Sequence, residues 1–412
     1  MAFIVAWAIN AADAQNAQLM FASLRDSPFL WWGLVATVAA VFLSLHSPSP
    51  IRHAFYETFL HLHRVGAILV LVGTYYHLKL DSLPQMPWFN AIVCIWAIER
   101  GLRLVRLFYF NVGKKTTILH VQAMPGGEAC CVDCYLPRRV SVPPGSHFYT
   151  YIPRVSWWLS HPFSAAWAED ADRGALTEAS RQSQAQFDSV LDLEKKQFYN
   201  YLEGKSENKG NTTVSFIIRV REGTTKHLYD KAMASPNKSF RTTGFIEGPY
   251  QSSHPASFTS YGTVVLFSSG PGITHHLIHI RDLLTLGSAE CAATRQVHMI
   301  WTVRSSEHLA WVRGFMNRIL ELPGRREMLR IWVFITKPMS NRLFSSPSST
   351  IRVTPGRCQP GILLDEILRD RIGGTVVSVF GSGNFADEVR AATMQRIGRR
   401  LANDFVEEAF SW

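Results

Sequence analysis

The sequence predicts a three-part chain: α-helical transmembrane segments, then a small antiparallel β-barrel, then an α/β domain built on a parallel sheet. Three observations carry this. Long apolar runs crowd the first 110 residues or so, strands and turns follow from Lys114, and after Tyr261 strands alternate with helices. At 412 residues the chain is long for one domain and comfortable for two or three. The changes of texture put the boundaries at 1–112, 113–258 and 259–412.

The membrane part rests on three runs. Phe29–Leu45 holds no charge and is at the lower limit for a spanning helix. Ala54–Leu78 is longer but carries Glu57, His61, His63, Arg64 and His77. Trp88–Phe110 starts apolar and runs into Glu99, Arg100 and Arg103. Loop signals at 47–50 and 83–87, both with paired prolines, separate the three. The arginines at 100, 103 and 106 read as a cytoplasmic flank, which places the C-terminal part in the cytosol and, with three crossings, the N-terminus outside. Residues 2–9 are apolar with no basic residue before them, so they make a poor signal peptide.

The charge of +10 raises nucleic-acid binding as a class, but the cations follow an apolar run or are spread out, and no nucleic-acid motif appears; none is expected. The six cysteines include a Cys-x-x-Cys at 131 and 134. With no second pair at zinc spacing, it reads as small residues on a strand rather than a metal site or a disulfide framework.

His63 and His77 stand 14 residues apart. At ~100° per residue they return to within ~40° of one face, separated by ~21 Å along the helix. Same-face histidines at that separation suit axial ligands of two stacked haems. They equally suit polar histidines facing a partner helix or the headgroups, and spacing alone does not choose.

In the second part, Thr117–Met124 and Ala129–Leu136 flank a Pro-Gly-Gly turn, Pro144–Pro153 enters another strand, and Thr213–Arg221 and Thr243–Glu247 continue the pattern. Residues 168–212 are polar and charged and read as an insertion outside the core. In the third part, strand Gly262–Ser268 leads through Ser269-Gly270-Pro271-Gly272-Ile273-Thr274 into a helix over His275–Leu286. Glycines let backbone amides approach a pyrophosphate, and a helix start favours its charge. Strand Gln296–Val303 ends at Arg304, Ser305 and Ser306, a cation and hydroxyls able to hold a 2′-phosphate; an ordinary surface arginine is the competing reading. Strand Met328–Ile335 precedes a Ser/Pro/Arg-rich loop at 339–361. Strand Thr375–Phe380 runs into Gly381-Ser382-Gly383-Asn384 and a helix from Phe385. Ligands sit at the carboxyl ends of such strands, so both glycine turns can face one cleft.

Taken together, these motifs resemble the fungal-type ferric reductases and their relatives the NADPH oxidases, in consistent order from Phe29 to Trp412. Tyr56–Leu60, His63 and Tyr75-Tyr76-His77 look like the family's fifth membrane helix, with one histidine for each haem. His161-Pro162-Phe163-Ser164 resembles the flavin-binding motif. Arg219, Arg221 and Gly223-Thr224-Thr225 fall where the family cradles the flavin phosphates, and Gly248-Pro249-Tyr250 resembles the tripeptide that closes the flavin barrel. Ser269–Thr274 matches the pyrophosphate loop, Gly381-Ser382-Gly383 the nicotinamide-side loop, and Trp412 the terminal aromatic that covers the flavin ring. The sequence departs at Phe380-Gly381-Ser382, where the family has Cys-Gly-Pro, and at Gln251, where relatives often have glycine. The family's third membrane helix supplies two more haem histidines. Residues 1–45 hold none, which points to a truncated chain or to a partner that supplies them.

The resemblance implies a ferredoxin–NADP reductase-like module that binds FAD and NADPH, behind a membrane segment with b-type haem on His63 and His77. It implies an integral protein of the lipid bilayer, most simply the plasma membrane, that reduces ferric or cupric chelates for metal uptake. Superoxide production and a haem-free diaphorase or remnant are the alternatives. In this scheme no residue acts as acid, base or nucleophile.

Overall fold

The computed structural model describes residues 24–48, 56–156, 159–170, 211–251, 258–288, 292–338, 344–345, 349–398, 402 and 404–409. It divides into two compact units, 1–105 and 106–412.

Three long helices come first among the described residues: α1 (Pro28–His46), α2 (Tyr56–Leu80) and α3 (Met86–Asn111). Ser27 caps α1 through its hydroxyl, and Pro28 follows at the first helical position, where its missing N–H costs nothing. α1 and α2 are long and apolar enough to cross a membrane. α3 is as long, but Glu99, Arg100, Arg103 and Arg106 fill its C-terminal half.

α1 and α2 pack antiparallel through small residues. A Cβ on Gly73 would lie 2.9 Å from the Ala36 backbone nitrogen, and one on Gly66 would lie 2.7 Å from Leu43. Absent side chains of this kind let helix backbones approach where lipid removes the hydrophobic drive. Trp32 stacks on Tyr76 at 4.9 Å and His46 on Phe59 at 4.8 Å along the same seam.

In the second unit, β1 (Ile118–Ala123), β2 (Ala129–Leu136), β5 (Trp167–Asp170), β6 (Thr212–Arg219) and β7 (Ser239–Thr243) form an antiparallel sheet in the order β5-β6-β2-β1-β7. A second antiparallel sheet places β3 (His147–Tyr151) between β4 (Ser160–Ser164) and β8 (Phe245–Tyr250). The two share a core of Leu119, Val121, Val132, Phe148, Phe216 and Ile246, among others. Helix α4 (Thr224–Met233) buries Leu228 and Ala232 against it. Asn111, the buried last residue of α3, donates to the Ile246 carbonyl (2.7 Å) and accepts from the Ile246 amide (2.9 Å), which ties the helix end to β8.

The remaining sheet has the order β12-β13-β11-β10-β9-β14-β15 and is parallel apart from the short β12 (Phe344–Ser345). Its strands are β9 (Thr263–Ser269), β10 (Gln296–Val303), β11 (Leu329–Ile335), β13 (Ile351–Pro355), β14 (Thr375–Gly381) and β15 (Asp404–Ala409). β9 and β14 are near-continuous apolar runs because the sheet is covered on both faces. Helix α5 (Ile273–Ser288) and α6 (Arg313–Leu320) cover one face, and α7 (Pro360–Arg369) with α8 (Gly383–Gly398) the other.

Several expectations need correction. The proposed insertion at 168–212 begins too early and ends too late: Trp167–Asp170 is β5, paired with Thr212–Ser215 at the start of β6. Its polar Glu169 and Asp170 hide the strand, and their partners come from distant sequence: Arg318 pairs with Glu169, and Thr212 donates to Asp170. The loop expected at 339–361 contains β13, a parallel neighbour of β11, and the first turn of α7. The single strand expected at 243–247 is the junction of β7 and β8 around Gly244. The Cys-x-x-Cys lies buried on β2, on a strand as the plainer reading held. Burial pushes the Cys130 thiol up to about 12 and raises Cys134 as well, so neither offers a reactive thiolate.

Candidate active site

The two expected glycine turns meet. β9 and β14 are hydrogen-bonded neighbours, and both turns leave their carboxyl ends. The Ser382 amide donates to Ser269 Oγ at 2.8 Å. A Cβ on Gly381 would overlap Ser269 Oγ, and one on Gly272 would overlap the Phe380 carbonyl oxygen, so each turn needs glycine because the other is there. Gly270 takes φ +53°, and a Cβ built on it or on Gly383 meets nothing within 4 Å. Those two positions leave room above the turns. Thr274 Oγ donates to the Pro271 carbonyl (2.9 Å), folding the entry to α5. Trp301, a fully buried β10 residue, donates its indole N–H to the Gly270 carbonyl (2.9 Å). Ile273 is fully buried, so only its backbone can face a ligand.

Beneath the turns sits a histidine group that sequence reasoning passed over. His276 is fully buried, with Ser268 Oγ at Nδ1 (2.7 Å) and Ser378 Oγ at Nε2 (3.2 Å). It thereby bridges β9 and β14 one and three residues before their turns. Burial, then the neighbouring His275 and His279, holds its pKa well below the usual value. His275 stacks on Phe380 at 4.4 Å, nearly parallel, and a Cβ on Gly145 would touch both His275 and His279. The i, i+1, i+4 spacing at a helix start was the available signal.

On the antiparallel side, β3 brings two motifs together. His161–Ser164 pairs with one edge of β3 and Glu247–Tyr250 with the other. Tyr250 lies 5.7 Å from both the His147 and Tyr149 rings, and its hydroxyl donates to Glu247, a buried carboxylate that also accepts from Tyr151 (3.1 Å). Arg106 Nη2 donates to the Pro249 carbonyl (3.4 Å), and its guanidinium lies 5.2 Å from the Tyr250 ring centre. A Cβ on Gly248 would come within 2.6 Å of the Phe148 ring.

The stretch expected to hold flavin phosphates forms a compact turn. The Arg221 amide donates to Thr225 Oγ (2.8 Å), which donates back to the Arg221 carbonyl (3.1 Å). Gly223, at φ +76°, occupies the N-cap of α4 with no side chain closing it. The first amides of α4, with Arg219 and Arg221 shortly before them in the chain, are donors that could hold an anion. These residues fit a pyrophosphate.

Arg304 and Ser305 follow β10 as expected. Ser305 Oγ accepts from the Glu307 amide (3.3 Å), so its hydroxyl already serves a helical turn. Arg304 lies 3.7 Å from Glu128, a residue no motif marked.

In the membrane unit, His77 stacks on Phe29 at 4.1 Å and its Nδ1 sits 2.9 Å from the Phe29 carbonyl oxygen. A carbonyl at Nδ1 favours the tautomer that leaves Nε2 as a lone-pair donor, the usual arrangement of a ligating histidine. His63 Nδ1 is buried with no hydrogen-bond partner among the described residues. Both fit a haem ligand by chemistry. Among the described residues no three potential metal ligands gather. Trp412 lies outside the described residues, as does most of the expected 168–212 insertion.

Comparison with known proteins follows the same division. A ferric reductase like transmembrane component model matches residues 2–74, and a ferric reductase NAD binding domain model matches residues 261–354. The chain is similar to the fungal ferric reductases. A probable ferric reductase transmembrane component of Candida albicans is 21% identical over 336 residues, 81% of this chain and 42% of that protein. A probable cell surface ferric reductase of Aspergillus oryzae is 26% identical over 68% of this chain and 33% of its own length. Ferric reductase transmembrane component 3 of Saccharomyces cerevisiae is 24% identical over 95% of this chain and 52% of its own. The chain therefore spans about a third to a half of the length of these ferric reductases. The NAD binding match runs from the residues before β9 through β13 and takes in the Ser269–Thr274 turn, Arg304 and Ser305. The transmembrane match takes in α1 and most of α2, including His63 but not His77.

Proposed function

We propose that this chain is the electron-delivering part of a transmembrane reductase that takes reducing equivalents from NADPH and passes them to ferric or cupric chelates across a membrane. FAD and b-type haem are the cofactors of this reading. Residues 1–112 form the membrane part, 113–258 the flavin domain and 259–412 the nucleotide domain. A flavin supplies the change from a two-electron hydride donor to single-electron steps, and haem supplies one-electron exchange inside the bilayer.

The observation that carries the reading is the interlock of Ser269–Gly272 with Gly381–Ser382 at the carboxyl ends of adjacent parallel strands. This is where open α/β sheets hold dinucleotides. Backbone amides at Gly270, Gly272 and Thr274 bind and orient a pyrophosphate, with the start of α5 favouring its charge. Gly381–Gly383 shapes the nicotinamide side. The α4 start with Arg219, Arg221, Gly223, Thr224 and Thr225 holds the flavin pyrophosphate, and His161–Ser164 with Gly248–Tyr250 lines the ring. His63 and His77 hold the haems through one imidazole each. In this reading the arginine flank of α3 and the soluble domains face the cytosol, in a plasma-membrane protein.

A second reading has an observation of its own. The α1 helix packed on α2 carries no histidine before His46, and His46 stacks on Phe59, so the second axial position at each level is not filled from α1. That favours a membrane-tethered diaphorase unless another helix or a partner completes the site. Purified chain in detergent, supplied with FAD, haem and NADPH, separates the two. The transmembrane reading expects a reduced Soret and α band and ferrous-chelator colour. Dinucleotide oxidation with a soluble acceptor and no such bands would leave the diaphorase.

A further inference from the structure

We infer that Glu128 sets the discrimination between the phosphorylated and unphosphorylated nicotinamide dinucleotides, by competing with the 2′-phosphate for Arg304. The inference rests on the reading of Arg304 as the 2′-phosphate cation, and adds the residue that opposes it.

Glu128 is the last residue of the turn between β1 and β2. Its carbonyl accepts from the Val220 amide (2.8 Å), continuing the ladder one step beyond the Ala129–Arg219 pair, so its side chain is held beside Arg219. The turn itself seats on the segment that follows β10. Trp311 donates its indole N–H to the Pro125 carbonyl (3.2 Å), and Gly126, at φ +85°, lies against Glu307 and His308. One carboxylate thus reaches Arg219 (3.6 Å), Arg304 (3.7 Å) and His308 Nε2 (3.7 Å). Burial is the main cause that holds the His308 pKa down, so His308 brings little positive charge, and the permanent partners of Glu128 are the two arginines. They belong to the two expected phosphate sites, one for the flavin and one for the nucleotide.

The pair with Arg304 is exchangeable. Arg304 is 58% exposed, Glu128 is 32% exposed, and their separation exceeds that of a tight bidentate contact. A phosphate is the stronger partner for a guanidinium, but winning Arg304 leaves a carboxylate beside the new dianion. NADH carries no 2′-phosphate and leaves the pair intact. Glu128 therefore opposes NADPH and not NADH, which holds the preference for NADPH below what Arg304 alone would give.

The test uses the full chain in detergent with FAD, an artificial one-electron acceptor, and steady-state KM values for both dinucleotides. Glu128→Gln keeps the shape and removes the charge. It is expected to lower KM for NADPH about two- to fivefold, the range open to a partly exposed charge pair, and to leave KM for NADH unchanged. Arg304→Ala is expected to raise KM for NADPH alone, and the double variant to match it, because the pair's contribution vanishes once either partner is gone. Glu128→Ser gives the same reading if the amide disturbs the turn. If Arg304→Ala acts on NADPH alone while the Glu128 variants move both dinucleotides equally or neither, the inference is overturned and the nucleotide site stands. If Arg304→Ala leaves the NADPH-to-NADH ratio unchanged, the reading of Arg304 falls and the inference falls with it.

Discussion

At the scale of single residues, the site depends on atoms that are missing. Gly272 and Gly381 matter because a methyl group on either meets the opposite turn. Gly381→Ala is expected to raise KM for NADPH more than tenfold while flavin content is kept, since the obstruction lies on the nucleotide side; a flavin absorbance spectrum beside dinucleotide titration checks both halves. In the membrane unit, His77→Ala is expected to remove the reduced haem bands from preparations that contain them. Unchanged haem content would dismiss His77 as a ligand. The glycines were legible in the sequence because backbone approach leaves a compositional mark. Glu128 and Trp301 were not, because each acts by reaching across strands that are far apart in the chain: Glu128 to Arg304, and Trp301 to the Gly270 carbonyl.

At the scale of elements, His276 links the two strands that carry the turns. Ser268 and Ser378 are each fully buried, so losing the imidazole leaves two hydroxyls without partners, at a cost of about 1–3 kcal/mol each. His276→Leu is expected to lower the unfolding midpoint and raise KM for the dinucleotide together. The same residue gives a pH dependence. The native state holds His276 and His279 neutral, chiefly by burial, whereas the unfolded chain protonates them near the ordinary value of about 6.5. Below that pH the unfolded state binds more protons, so stability is full above about 6.5 and declines as pH falls. Denaturant midpoints between pH 7.5 and 5 measure the slope, and His276→Gln should flatten it. Strands such as β10 and β14 could be read within a residue because buried parallel strands are apolar throughout. β5 and β15 could not, because edge strands carry polar residues that mimic loops, and β13, between β12 and β11, could not because all five of its residues are only half-buried.

At the scale of the whole molecule, residues 106–412 form one compact unit that contains both expected cofactor regions, and residues 1–105 form another. Expressed alone, 106–412 is expected to bind FAD and oxidise NADPH with a soluble acceptor, without reducing a chelate on the far side of a vesicle membrane. A 106–412 fragment that fails to retain flavin would argue that the flavin region needs the helices before it. The division between a membrane part and a soluble part was legible from hydropathy alone. The third helix was legible as a helix, but the charges at 99–106 leave, among the described residues, two helices rather than three with the apolar length of a span.

The contact between the two glycine turns also bears on engineering. Because Ser269 Oγ receives the Ser382 amide and Gly272 lies against the Phe380 carbonyl, neither loop is a separable cassette. Grafting a pyrophosphate loop from another reductase brings a surface shaped for a different opposite turn. Transplants that move residues 269–274 and 380–384 together should keep their cleft, and those that move one alone should lose it, so the pair is the smallest unit by which this site can be exchanged.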